Sequence, residues 1–468
     1  MERSVNRRRA LLALASTFVY ALLPTAMPAQ PTAPLSLGDA IREADRHAFA
    51  NRIASANTEG DQARSRIPLK GILPSARLES GVLRTTDPLG AFGTTLSQRL
   101  VTPAAFNPVS LNDPLAVTNV HGGVVVELPL LNGDAWAGWK AARAAADATT
   151  AAGEWTSLAT RTEVVRAYYG AILAAEKDDM LDQAQRAAEA ALRQVQAMVN
   201  QGLVTKADVL QASVRASDVA SQRLTARSDA LSAAQQVGLL LGRTTGAPVT
   251  LPALLPSDIA VRALAVRDTL SATPTDSTPL ATRADVRAAS AGVRAARADR
   301  LRAGTTLLPR VNSFARYDWN DPRALYAGRK SWTVGVMASW SLFGGGSELA
   351  DLASATAREA GATAGREAVL AKGQLEADVA QRNVTVALQR LDLAQSAAEQ
   401  SREAHRLVEK RYAGGLATIA ELLGAESQAT GAALAHAAAR FALIDAIATH
   451  RRAIGADPAE LALLDTAR

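Results

Sequence analysis

Apolar side chains recur along most of this chain at helical spacing, and in a few short stretches they alternate instead. Leu181, Ala188 and Val195 stand seven residues apart, and Leu210, Leu224 and Leu231 follow the same period with Ser217 in the missing slot. Heptads with small residues at the seam predict long helices paired as antiparallel coiled coils. Residues 134–200 contain no proline and little glycine. Read as one helix they extend ~100 Å at 1.5 Å per residue, far beyond what a globular domain needs. Such a helix requires partners to cover its stripe.

The alternating stretches predict strands. Trp332, Val334, Val336, Ala338 and Trp340 fall on one face, against Thr333, Gly335, Met337 and Ser339 on the other. In "GGVVVELPLLNGD" (122–134), Val124, Val126, Leu128 and Leu130 form one face and Val125 and Glu127 the other. Trp332 and Trp340 would stand roughly 26 Å apart along a strand, the height of a lipid-facing band with an aromatic girdle at each interface. The alternative is a soluble sandwich, but the four strands legible here are too few for one. They are also too few for a barrel, which needs about eight. Three copies would supply twelve strands and leave a lumen.

The pattern occurs twice. "MVNQGLVTKADVL" (198–210) and "RYAGGLATIAELL" (411–423) share Gly-Leu-x-Thr-x-x-acid-aliphatic-Leu. Gly133 to Gly202 is 69 residues and Gly345 to Gly415 is 70. "LPSARLESG" (73–81) pairs with "LPRVNSFARYD" (308–318), each after a shorter helical stretch, 36–67 and 282–303. The expected organisation is a first repeat over 30–241, with strands at 73–83 and 122–131, a long helix at 134–200 and a return helix at 205–241. A Pro/Thr/Ser-rich linker occupies 242–281, with a short helix near 257–269. The second repeat spans 282–456, with strands at 308–319 and 331–342, a long helix at 346–413 and a return helix at 418–455, and a tail covers 457–468. The first strand pair carries a longer loop (89–114) than the second (319–330). Asn132-Gly133 and Gly344-Gly345 mark the strand-to-helix turns. At the doubled stretch, Gly202 and Gly415 permit a tight turn between helices. Thr205 and Thr418 would cap the returning helices, with Asp208 and Glu421 completing capping boxes.

Composition narrows the class. Residues 1–29 combine Arg3, Arg7, Arg8 and Arg9 with an apolar run (10–23) and small residues, the layout of a secretory signal peptide. Removing it takes away those four arginines and Glu2, and the formal charge falls from +6 to +3. Charges of both signs are interspersed along the helices, so no nucleic-acid face is expected. There are no cysteines, which excludes disulfides, thiolate nucleophiles and Cys-ligated zinc. The five histidines, His47, His121, His405, His436 and His450, are dispersed with no i, i+4 pair. No metal site, phosphate loop or dinucleotide fingerprint is legible, so neither catalysis nor a cofactor is expected. "FGGGS" (343–347) could suggest phosphate binding, but its twin "LLNGD" favours a bend. Asp178-Asp179 reads as a solvated helix face.

With "LPLLNGD", "WSLFGGGSE", "TRADVRAA" (282–289) and the doubled Gly-Leu-x-Thr stretch, nearly the whole mature chain resembles the TolC family of trimeric outer-membrane efflux ducts. The resemblance implies a mainly α protein with a membrane β-barrel portion: a homotrimer forming a 12-stranded barrel in outer-membrane lipid, continued by a long α-helical barrel in the periplasm. It implies that Gly202, Leu203, Gly415 and Leu416 dock a periplasmic adaptor, and that an inner-membrane pump supplies the energy. By position, Asp208 and Tyr412 match a polar link of the family's periplasmic gate, and Glu421 an acidic constriction. Ala417 and Gly424 depart from the pattern, standing where a second latch and a second acid can sit. Small-molecule efflux and type I protein secretion share such a duct. A periplasmic coiled-coil scaffold with no pore is the rival of a different class.

Overall fold

The structure is a computed structural model and describes residues 34–244, 246, 248–252, 278–325 and 327–462. The expected signal peptide, the short helix near 257–269 and the end of the tail lie outside these residues.

Ser36 caps α1 (Leu37–His47) by accepting the Asp39 N–H, and the first acidic and last basic side chains of α1 complement its dipole. The stretch 36–67, expected as one helix, is two. Ala48 takes an extended conformation (ψ 132°), and α2 (Phe49–Arg64) starts anew. A 3₁₀ turn, Ile67–Gly71, leads into β1 (Ser75–Thr85). The long loop contains two helices, α3 (Pro88–Ser97) and α4 (Pro108–Asn112). Asp87 and Asn107 cap them, each with proline in the first turn, where its missing N–H costs nothing. The chain continues through β2 (Val117–Leu131), α5 (Gly133–Asn200) and α6 (Lys206–Leu240). The second repeat comprises α7 (Ala284–Thr305), β3 (Arg310–Asp321), β4 (Arg329–Ser339), α8 (Ser347–Ala413) and α9 (Ile419–Ala453). A 3₁₀ turn, Pro458–Ala462, follows. Both very long helices, α5 and α8, are therefore continuous.

The strands form one antiparallel sheet in the order β1-β2-β3-β4, so the repeats join through β2 and β3. Register sorts the side chains into two faces. Leu78, Val124, Tyr317 and Trp332 form one row, and Ala76, Val126, Ala315 and Val334 the next. On the reverse face, Arg77, Val125, Arg316 and Thr333 lie abreast, followed by Glu79, Gly123, Asp318 and Ser331. Trp340, expected at the end of β4, lies one residue beyond it, and its indole N–H donates to the Leu307 carbonyl at 3.0 Å.

α5 with α6 and α8 with α9 form two helical hairpins, and α7 packs between α5 and α8 near the sheet. The main core sits midway along the hairpins, where Tyr168, Tyr169, Ile172, Leu443, Ile444 and Ile447 are fully buried with Leu37 and Leu461. The protein exposes 28,972 Å². A compact monomer of its mass would expose about 17,000 Å². The sheet contributes exposed apolar side chains to this surface, among them Leu78, Val82, Val126, Leu128, Trp332, Val334 and Val336.

Candidate functional site: the hairpin tips and the polar face of the sheet

The two tips are built alike. α5 ends in a Schellman turn: Leu203 N–H donates to Met198 O at 3.0 Å and Gly202 N–H to Val199 O at 2.9 Å. α8 ends the same way, with Leu416 to Arg411 at 2.8 Å and Gly415 to Tyr412 at 3.0 Å. Gly202 and Gly415 hold the left-handed residue, φ +74° and +72°. Leu203 and Leu416 project into solvent.

Capping boxes start both return helices. Asp208 accepts the Thr205 N–H at 2.7 Å and the Thr205 hydroxyl at 2.8 Å. Glu421 accepts the Thr418 N–H at 2.8 Å, and Thr418 Oγ1 accepts the Glu421 N–H at 3.2 Å. Below the turns a small cluster joins the hairpins: Val195, Ala212, Ile419 and Leu423 are buried, with Tyr412 packed against them. The Tyr412 hydroxyl donates to Met198 Sδ at 3.7 Å. Burial pushes its pKa above the usual phenol value, and the nearby Asp208 carboxylate adds to the rise. Asp208 and Tyr412 are thus neighbours within one protomer, with the Asp208 carboxylate engaged by its own cap.

At the strand-to-helix turns, Asn132 donates to Gly71 O at 3.2 Å and to Asn312 Oδ1 at 3.3 Å. The second turn places Gly345 and Gly346 in the left-handed region, φ +69° and +83°. At Gly344 a Cβ would lie 2.1 Å from Glu348 Oε1. The twin turns therefore share position but not mechanism.

Three groups escaped sequence reading. The reverse face of the sheet carries a charge ladder across three strands. Arg77 binds Glu127 at 2.6 Å, Arg316 binds Asp318 at 2.7 Å, and Glu79 lies 3.8 and 3.7 Å from the two arginines. These residues belong to separate strands of both repeats, so only the register assembles them. Second, α3 folds over this same face. Gln98 donates to Asn119 Oδ1 at 3.0 Å, and Asn119 donates to Asn320 Oδ1 at 2.8 Å. Third, a buried polar layer lies between the hairpins. Glu176 pairs with Arg440, and half-buried Glu426 sits beside Arg215 and His405. Burial holds the Glu426 carboxyl above its ordinary value, and Arg215 and His405 oppose the rise.

One face of the sheet is apolar and exposed, and the other carries ion pairs. Soluble sheets bury the apolar face; a sheet that leaves it exposed and gathers its charges on the other has the arrangement of a membrane barrel with a polar lumen. With the helical hairpins below, this defines one portion of a membrane barrel continued by a helical extension. The chain belongs to the outer membrane efflux protein family, whose model matches residues 91–243 and 277–456. No curated protein sequence matches it. Among solved structures, it is similar to the CmeC outer membrane channel of Campylobacter jejuni, with 17% identity, 90% of this chain and 85% of that chain covered, and a TM-score of 0.76. The outer membrane protein VceC of Vibrio cholerae shares 19% identity over 90% of this chain and 96% of its own, with a TM-score of 0.72. The open state of the Neisseria gonorrhoeae MtrE outer membrane channel gives 18% identity, 90% and 89% coverage, and a TM-score of 0.72.

Proposed function

We propose that three copies of this chain form a passive outer-membrane duct. β1 of each would pair with β4 of the next, closing a 12-stranded barrel. The observation that carries this reading is the two-faced sheet with an open strand at each edge. Exposed edges invite pairing, and closure removes them. The apolar rows then face lipid, with Trp332 towards one interface, and the ladder of Arg77, Glu79, Glu127, Arg316 and Asp318 lines the lumen.

The hairpins continue the duct into the periplasm, and their tips, Gly202-Leu203 and Gly415-Leu416, dock a periplasmic adaptor. An exposed leucine after each rigid turn is the apolar contact such docking uses. Asp208, Tyr412 and Glu421 form the gate. Exchange of the Asp208 carboxylate from its own cap to a neighbouring hydroxyl is a small motion between bonds of similar strength. Small molecules enter from an inner-membrane pump and leave through the barrel.

Single-channel conductance in a planar bilayer tests this with the detergent-extracted protein and its Asp208→Ala variant. A small steady conductance that rises in the variant supports duct and gate together. A conductance unchanged by the variant removes Asp208 from the gate. A folded oligomer without conductance overturns the duct.

A further inference from the structure

Just beyond the strand-to-helix junction, α5, α7 and α8 leave an open groove of about 840 Å³. Its walls carry Lys140, Arg143, Arg294, Arg297 and Arg300, with Trp139 and small apolar residues as floor. The protein's own acids do not balance these five cations. Glu359 takes both Arg297 and Arg300, at 3.1 and 2.6 Å, and Asp147 reaches Arg294 only at 4.0 Å. Among the described residues, Lys140 and Arg143 have no carboxylate within ion-pair distance. Arg143 lies over the Trp139 ring instead, 5.7 Å from its centroid.

The groove opens away from the duct. Arg161, further along α5, is held by Asp45 of α1 and by Asp457 near the C-terminal turn. Those segments cover that face of α5, so it cannot line an open lumen. Arg143 precedes Arg161 by eighteen residues, five helical turns, and shares its face. The depth is also informative. Lys140 and Arg143 lie ~10–15 Å along α5 from Gly133. Arg300 and Arg297 lie close to the upper end of α7 at Thr305. Between groove and sheet stands half-exposed Trp136, edge-to-face with Trp139 at 6.0 Å. Aromatic side chains backed by basic ones mark the water-facing border of a bilayer.

We propose that this groove binds the head group of an anionic phospholipid from the adjoining leaflet, with its acyl chains running past Trp136 along the apolar face of the sheet. The proposal rests on the membrane-barrel reading above. Guanidinium forks match phosphate oxygens, and cations between helices at a membrane border suit anionic head groups. A zwitterionic head group would bring its own ammonium among five cations, which disfavours it.

Native mass spectrometry of the intact detergent-extracted protein tests this with phosphatidylglycerol, phosphatidylcholine and glycerol 3-phosphate. Phosphatidylglycerol should be retained over phosphatidylcholine. The double variant Lys140→Gln/Arg143→Gln should weaken that retention by about tenfold or more. Neither residue has an acidic partner to orphan, and the variant's bilayer conductance should be unchanged. If the double variant fails to assemble, Arg294→Gln serves in its place. Equal retention of the two lipids, or retention indifferent to the variants, overturns the site. Full competition by glycerol 3-phosphate makes it a soluble-anion site and overturns the lipid assignment. Conductance is a separate readout, so a conducting protein without lipid preference removes this proposal and leaves the duct standing.

Discussion

The middle of the helical hairpins and their tips are held by different chemistry. In the middle, large side chains from α5 and α9 interlock with α1 and the C-terminal turn. Next to this core lies Arg283, its side chain 1% exposed, bound to Asp285 at 2.7 Å and Glu376 at 2.9 Å. It donates to Ala453 O at 2.6 Å and lies against the Trp155 ring. One guanidinium thus ties α5, α7, α8 and α9 together. At the tips, four buried residues join the hairpins, and the Tyr412 hydroxyl donates to a thioether, a weak acceptor. Each tip is ordered by its own turn and cap; the bond between tips is slight. Contacts between the tips are thus few beside those of the collar, so the tips can separate locally while the collar holds.

Arg283→Ala should show the largest effect. It strands Asp285 and Glu376 beside a buried gap, and should cost about 4 kcal/mol in a denaturant titration. A loss below about 1 kcal/mol would remove Arg283 from the collar. Leu443→Ala should cost about 3 kcal/mol of global stability through the cavity it leaves. Leu423→Ala, at the tip, should leave the main unfolding transition in place and raise amide exchange near 195–212 and 412–423. Equal global losses from these two substitutions would erase the contrast.

Gly202→Ala and Gly415→Ala should each cost about 1 kcal/mol, from the left-handed backbone alone. A Cβ at either position meets nothing within 4 Å. Matching losses would establish the tips as energetic twins, and unequal ones would show a contact made by only one of them. Thr418→Ala should cost about 1 kcal/mol by removing the cap, read as faster proteolysis at the second tip. The smallest effect concerns pH. Burial raises the Glu426 carboxyl above its ordinary 4.5, so the folded protein holds this proton more tightly than the unfolded chain does. Stability from this group is full below pH 4.5 and is lost as pH rises through the raised value. Glu426→Gln should therefore raise the melting temperature at pH 7 and leave it nearly unchanged at pH 4. A melting temperature falling at pH 7 would mean that Arg215 outweighs desolvation.

Features written within a few residues were legible before the fold was known. The heptads and the proline-free run located α5 and α6, and the repeat carried that reading to α8 and α9. The Gly-Leu-x-Thr repeats located both turns and both capping boxes, because turn conformation and capping depend on neighbours three or four positions away. The helices α3 and α4 were equally local, marked by Asp87-Pro88 and Asn107-Pro108, but the expectation of a long loop passed over them. The break at Ala48 carried no proline or glycine to announce it.

Tertiary structure decided what distance in sequence concealed. Strand alternation assigned Val126 and Val334 to apolar faces, but only the pairing of β2 with β3 made those faces one surface. The same register set Arg77 beside Glu127 and Arg316, and packing brought Glu426 to Arg215 and His405. Arg283 reaches Gly373 and Ala453 only because α7, α8 and α9 converge. Short-range periodicity and caps act through the chain's own backbone, so the sequence alone determined the long helices, the tips and the duplication. Charge partners and cavities arise where remote segments meet, and their energies depend on burial that no local pattern encodes. The charge ladder of the sheet, the collar and the basic groove therefore belong to the folded molecule alone.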